Sequence, residues 1–263
     1  MMKKIALIGT LLISTGTFAH ENHFNISTDN CEVSFQNDVR ISNDQIIIEN
    51  QSNRQAILRK DGSLVIDGKA HDLNHHQKQF LTEYNEALRQ ELPKVATIAL
   101  DAVKIAGVAI NEVASTFNIN SLHHMHGMMD EISQEIQTTF YRQDEFVMGE
   151  KTFNEFGETF DQKFEARLES AIEKTMTESI GSILVSLGSA MMSSGGNMAE
   201  FESRMETLGE TIEQRVEAEA KSIEARAEKL CQDFEQVASL ETRLSDEIPA
   251  LSNYKLFSYK NKS

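Results

Sequence analysis

The chain has no Trp, and aromatic residues make up only 7% of its 263 positions, so an aromatic-lined carbohydrate cleft is not expected. Two Pro and thirteen Gly exclude collagen-like and low-complexity material. Basic residues are scarce: 25 Lys and Arg stand against 41 Asp and Glu, for a net charge of −16. A nucleic-acid binder displaces phosphate counterions with Lys and Arg, so that class of partner is disfavoured. The sequence holds no Gly-x-Ser-x-Gly elbow, phosphate loop or Gly-x-Gly-x-x-Gly turn, each of which places a nucleophile or cradles a phosphate. An enzyme is not expected.

One apolar run stands at the start. Met1-Met2-Lys3-Lys4 is a basic head, Ile5 to Ile13 is apolar, and Thr17-Phe18-Ala19 places small residues before a cleavage point. This is the layout of a secretory signal peptide, too short to span a bilayer. Residues 1–19 are therefore expected to be removed on export, leaving a more acidic chain that begins at His20. No Cys follows the apolar run directly, so a lipoprotein signal is not indicated. Residues 20–30 are expected to form a flexible new N-terminus.

Only Cys31 and Cys231 are available for redox chemistry. Export to an oxidising compartment makes a disulfide the default. An internal Cys31–Cys231 bridge would close a loop of about 200 residues and contribute about 4–5 kcal/mol by chain entropy. Two separate thiols, or a bridge between chains, are the alternatives, and a homo-oligomer is compatible with the sequence.

From Cys31 to Leu73 the pattern is that of short strands. Cys31, Val33 and Phe35 alternate with Glu32 and Ser34; Val39 and Ile41, Ile46–Ile48, Ala56–Leu58 and Leu64–Ile66 follow, separated by turn residues such as Asp61-Gly62 and Asp67-Gly68. Asp-Gly between apolar runs is a hairpin signal. Residues 31–73 are read as an antiparallel β-meander, too thin a core to stand alone.

At Asp72-Leu73-Asn74 the period changes to three and four, and residues 74–248 are read as a helical domain. A first stripe runs from Leu81 to Phe117 with a break expected near Leu92, before Pro93. A second helical region runs from Ser121 towards Asp144, with Val147–Glu150 read as a loop. A third follows Phe153, Phe156, Phe160, Phe164 and Leu168 towards Met191, and its Phe stripe is read as core. Ser193-Ser194-Gly195-Gly196-Asn197 breaks it, and a fourth runs Phe201, Met205, Leu208, Ile212, Val216, Ile223, Ala227, Leu230, Phe234, Val237, Leu244. The last two are expected to form an antiparallel, coiled-coil-like hairpin. Glu213, Glu217, Glu219 and Glu224 are read as its solvated face. Residues 249–263 form a tail in which Tyr254–Tyr259 reads as a short strand that joins the meander. The expected fold class is α+β.

Two His groupings bear on metal chemistry. His123-His124-Met125-His126-Gly127-Met128-Met129-Asp130 carries copper and zinc ligand types. On a helix, His123 and His126 share a face. The set falls short of the four ligands of a structural zinc site, and an exposed polar stretch whose Met residues pack inward is the competing reading. His71-Asp72-Leu73-Asn74-His75 has the i, i+4 spacing of zinc peptidases with Asp in place of Glu. A helix that starts at Asp72 or Asn74 leaves His71 outside, and an N-cap is the better account. His20 and His23 near the new N-terminus suit weak metal capture at most.

Cys31-Glu32-Val33, Asp38-Val39-Arg40-Ile41, Asp61-Gly62-Ser63-Leu64-Val65-Ile66-Asp67-Gly68 and Ile248-Pro249-Ala250-Leu251 give the chain a layout that resembles the YggN-like family of uncharacterised periplasmic proteins of Gram-negative bacteria. The resemblance implies a periplasmic location and carries over no activity, cofactor or site residue. The functional expectation is a non-enzymatic binding or scaffold protein of the cell envelope, without a cofactor, that holds an envelope protein or client. The alternative is a periplasmic copper or zinc protein using His123, His124 and His126.

Overall fold

The computed structural model describes residues 25–27, 31–117, 120–174, 177 and 198–261. Strands β1 (Asn25–Ser27), β2 (Cys31–Phe35), β3 (Asp38–Ile41), β4 (Gln45–Glu49), β5 (Gln55–Arg59), β6 (Leu64–Ile66) and β7 (Lys69–His71) precede helices α1 (His75–Glu91), α2 (Pro93–Phe117) and α3 (Asn120–Phe140). A hairpin of β8 (Tyr141–Arg142) and β9 (Glu145–Met148) leads into α4 (Glu150–Phe160). A π turn at Asp161–Glu165 follows, and helix continues through 166–174. The last elements are α5 (Met198–Glu247), a 3₁₀ segment at Pro249–Tyr254, and β10 (Phe257–Asn261). The class is α+β, with an N-terminal antiparallel sheet and long helices.

The larger sheet has the order β7-β6-β5-β4-β3-β9-β8, every pair antiparallel. Its register aligns apolar residues in rows. Met148, Val39, Ile48, Ala56 and Ile66 are neighbours across five strands, and Phe146, Ile41, Ile46, Leu58 and Leu64 form the next row. All ten are buried. A slip of one residue would turn both rows to solvent. The β6–β7 turn puts Asp67 and Gly68 at φ of 50° and 76°, the paired positive angles of a tight hairpin.

Val147–Glu150 is not a loop: Val147 and Met148 belong to β9, which pairs with β3, and the helical region after Ser121 stops at Phe140 rather than Asp144. The β8–β9 turn uses Gln143 and Asp144 at φ of 51° and 65°, without the glycine that usually marks such a turn. Cys31–Phe35 leaves the meander and joins a second sheet of order β1-β2-β10, with Phe257 opposite Phe35 and Asn261 opposite Cys31. Val33 and Phe35 are thereby buried against helix rather than against β3. The stretch 20–30, expected to lack structure, supplies β1, whose backbone pairs with β2.

The tail also differs in detail. Tyr254 belongs to the 3₁₀ segment, and the strand starts at Phe257. Ile248 takes an extended conformation before Pro249, which ends α5. Between α1 and α2 only Leu92 intervenes, because Pro93 occupies the first helical position of α2, where no backbone donor is needed.

The partner of α5 among the described residues is the α1–α2 rod. Gln77 Nε2 donates to the Glu247 carbonyl at 2.7 Å, the Tyr84 hydroxyl donates to Glu241, Lys94 lies 3.5 Å from Asp233, and Arg226 lies 2.7 Å from Asp101. As the number rises on α1–α2 it falls on α5, so the two run antiparallel. α3 packs on α2, and α4 with its continuation packs back along α3 through Lys163–Glu135 and Arg167–Glu131. The turn at Ser193–Asn197, around which the hairpin was expected, lies outside the described residues.

Gly149, at φ 148°, joins β9 to α4, and an added Cβ there would sit 2.6 Å from the Asp38 Cα. Asp38 in turn accepts a hydrogen bond from the Lys151 backbone in the first turn of α4. Gly149→Ala should lower stability by more than about 2 kcal/mol. Gly157→Ala, inside α4 with open space around it, should raise stability by about 0.5–1 kcal/mol. Thermal melts of the two variants check both signs.

Candidate functional site

The seam between the α1–α2 rod and α5 is apolar at its centre and ionic at its margins. Leu81, Tyr84, Leu88, Leu92 and Ala96 line the rod, and Ile223, Leu230, Cys231, Phe234, Val237 and Leu244 line α5; all are buried. Phe234 meets Phe35 of β2 edge-on at 6.1 Å and Phe257 of β10 at 5.4 Å. The side chains of Leu208 and Ile212, part of the expected seam, lie outside the described residues.

Along its outer margin the seam opens twice. Between α2 and the N-terminal half of α5 lies a groove of about 510 Å³, lined by Asp101, Lys104, Ile105, Val108, Ser222 and Arg226 among others. Val108 is 41% exposed, and the Asp101–Arg226 ion pair closes one end. A smaller groove of about 320 Å³ follows over Glu91, Lys94, Lys229 and Asp233. Lys94 bridges Glu91 at 2.5 Å and Asp233 at 3.5 Å, while Lys229 holds Asp233 at 2.9 Å. Burial works against the charge on Asp233, but Lys229 and Lys94 outweigh it and keep the carboxyl below its ordinary value.

One charged residue sits inside the apolar stripe. Glu241 is 4% exposed. Its carboxylate accepts from the Tyr84 hydroxyl, from the Leu256 amide at 2.5 Å and from the Phe257 amide at 3.1 Å. Burial pushes its pKa from 4.5 up to about 7, against the opposing pull of Tyr84, the two amides and Lys255. Burial also drives the Tyr84 hydroxyl well above its usual range, helped by the facing Glu241 charge. Sequence reading passed over Glu241. The signal was there: the stripe steps from Val237 to Leu244 with one position unfilled, and Glu241 occupies it.

The metal candidates separate. His126 is exposed on α3, while Met125 and Met128 turn inward to the core. His123 and His124 fall on the same helix, but their side chains are outside the described residues. Among the described residues no group of three or more His, Cys, Asp or Glu is placed to hold a metal. His71 ends β7, outside α1. Asn74 caps α1 instead, accepting from the Gln77 amide at 2.9 Å while the Gln77 side chain accepts from the Asn74 amide at 3.1 Å, a reciprocal capping box. The Phe153, Phe156 and Phe160 side chains pack on the core beside the buried Phe164. Cys231 is buried on α5, Cys31 opens β2, and no described residue is a free cysteine. No helix among the described residues is long and apolar enough to cross a membrane. Glu217, Glu219 and Glu224 are exposed on α5.

The profile of a family described as a protein of unknown function, DUF2884, matches residues 31–257. The chain belongs to this family. It is also similar to the uncharacterized protein YggN of Escherichia coli strain K12 and to the proteins of that name in strains O6:H1 and O157:H7, at 26% identity over 113 residues in each case. The alignment covers 43% of this chain and 44% of each relative, so it spans less than half the length of the curated relatives it matches. No solved structure matches. The matched DUF2884 region runs from the first residue of β2 to the first residue of β10, and so takes in the larger sheet and the whole described seam. The resemblance read from Cys31-Glu32-Val33 and the Asp-Gly turns is borne out at the level of family.

The seam carries a direct test. Phe234→Ala should cost about 3–5 kcal/mol, since its ring is fully buried against two others. Glu217→Ala, which removes only an exposed pair with Lys221, should change stability by less than about 0.5 kcal/mol. Chemical denaturation of both variants gives the comparison.

Proposed function

We propose that this member of the DUF2884 family is an exported, periplasmic, non-enzymatic protein that binds or scaffolds a partner in the cell envelope. The observation that carries the reading is the groove between α2 and α5. Ile105 and Val108 line it between charged walls, and Val108 is the large apolar side chain of α2 that stays exposed among the described residues. An apolar strip with a polar rim is the usual make-up of a protein-binding face. Two long helices laid side by side supply an extended and stiff surface for it.

Export is supported by the N-terminal basic head and apolar run. In this reading the chain also carries a Cys31–Cys231 disulfide, which staples β2 to α5 where Phe35 and Phe234 already meet. Such a bridge constrains the unfolded chain most when the loop it closes is long.

Two measurements test the proposal. A photo-crosslinking residue placed at Val108 should give a discrete, light-dependent adduct in intact cells, and one placed at Glu224, off the groove, should not. Equal behaviour at the two positions would overturn the binding role. Osmotic-shock material, mapped without reduction, should begin at His20 and contain a linked Cys31–Cys231 peptide pair. Recovery of both thiols free would refute the bridge, and retention of residues 1–19 in the cytoplasm would refute export.

A further inference from the structure

We propose that Glu241 is a proton-operated latch that fastens the C-terminal strand β10 to the α1–α5 seam and loosens as the pH rises through neutrality. The geometry is that of a fastener. One buried carboxyl on α5 joins three elements: its hydrogen-bond donors are the Tyr84 hydroxyl on α1 and the backbone amides of Leu256 and Phe257, where the chain enters β10. The rest of the attachment is strand pairing with β2, the Gln36 amide on the Leu256 carbonyl at 2.9 Å, the Asn37 side chain on the Lys255 carbonyl at 2.6 Å, and the packing of Leu256 and the Phe257 ring, none of which titrates.

The direction follows from solvation. With β10 in place the carboxyl is shut off from water, and a charge there loses more in hydration than three hydrogen bonds return. With β10 lifted away the carboxyl meets water and ionises as an ordinary glutamate. The closed state therefore holds the proton more tightly than the open one, consistent with the rise from 4.5 to about 7 caused by burial. A group with a raised pKa in the closed state contributes closure that is complete below about pH 4.5 and is lost as pH climbs through about 7. In the neutral form the Glu241 proton can rest on the Tyr84 oxygen, so the contact survives with donor and acceptor exchanged.

Other titratable and charged groups border the junction. Tyr84 faces Glu241 from α1, and Lys255 faces it from the segment before β10. The 3₁₀ segment carries Tyr254, which donates to Asp67 at 2.9 Å, and Asp67 is paired with Arg54. His76 lies 3.8 Å from Glu247, further along α5. β2 brings only the apolar Val33 and Phe35 to this face. Of these neighbours His76 is the one whose part in the pH response is checked by substitution. Opening would uncover Phe35 and Phe234, whose rings now lie 5.2 and 5.4 Å from that of Phe257.

Hydrogen exchange of the full chain at pH 5.5 and pH 8, corrected for intrinsic rates, tests the latch. Protection of the 256–261 amides should fall by about tenfold or more at the higher pH, while the β4 and β5 amides stay unchanged. Glu241→Gln, which cannot ionise, should abolish that pH response, and His76→Gln should retain it. Protection that does not vary with pH in the parent chain, or an undiminished response in Glu241→Gln, would overturn the proposal. Should Glu241→Gln fail to fold, carboxyl-selective ¹³C titration of the parent chain decides: a Glu241 midpoint near 7 supports the latch, and one near 4.5 refutes it.

Discussion

A helix of fifty residues with an apolar stripe along one side is not stable by itself; the stripe must be covered. For the C-terminal half of α5 the cover comes from a rod that begins more than a hundred residues earlier in the chain. Leu81, Tyr84, Leu88 and Leu92 meet Phe234, Val237, Glu241 and Leu244 in one closed interior. Everything else at this end of the molecule is placed by that seam. The same helix presents Phe234 to β2 and Glu241 to β10, so the smaller sheet has its position only because α5 has found α1. The larger sheet is held to the rod from the other side: Asn85 on α1 donates to the Leu58 carbonyl at 3.0 Å, and Arg89 braces Asn85 at 2.7 Å while donating to the Ser42 carbonyl.

What could be read from the sequence was what neighbours in sequence decide. The alternation of Val39, Ile41, Ile46 and Ile48 marks a half-buried strand pair, and Asp67-Gly68 sets the two-residue turn between β6 and β7 by tolerating positive φ. The helix start at Asn74 and the break at Pro93 are likewise local, since one follows from an amide acceptor and the other from a missing N–H. The errors fall where pairing is distant or its marker absent. β9 borders β3 across more than a hundred residues, and its hairpin with β8 turns on Gln143 and Asp144, a pair that announces nothing. Cys31–Phe35 alternates like the other strands, but alternation does not say which sheet a strand enters; β10 decides that from the far end of the chain.

The site was legible in outline and not in its chemistry. The α5 stripe was evident from its three-and-four spacing, yet the same spacing suggested an adjacent helix as its partner. Periodicity fixes which face of a helix is buried, not what buries it. Glu241 illustrates the second limit. A lone Glu in a helix rich in Glu reads as solvated, and only its place in the stripe sets it apart from exposed residues such as Glu217 and Glu224. Its neighbours Tyr84, Leu256 and Phe257 come together only when the two chain ends meet.

The use of cations explains how so acidic a chain holds its helices in register. Many described Lys and Arg side chains tie elements distant in sequence: Lys151 joins α4 to Glu49 on β4, Lys163 and Arg167 join the continuation of α4 to α3, and Arg226 joins α5 to α2. Each exposed pair contributes little on its own. Their value lies in position, because each links two named residues of elements that are distant in sequence. With these cations committed to internal pairs, the outer surface keeps the acidic excess, and its field falls away over roughly 8–10 Å at physiological salt. An anionic partner would therefore be repelled before it reached the proposed α2–α5 binding groove, whereas a neutral or basic one would not. Inside the groove Arg226 already answers Asp101, so under the proposed binding role discrimination at close range would rest on fit against Ile105 and Val108.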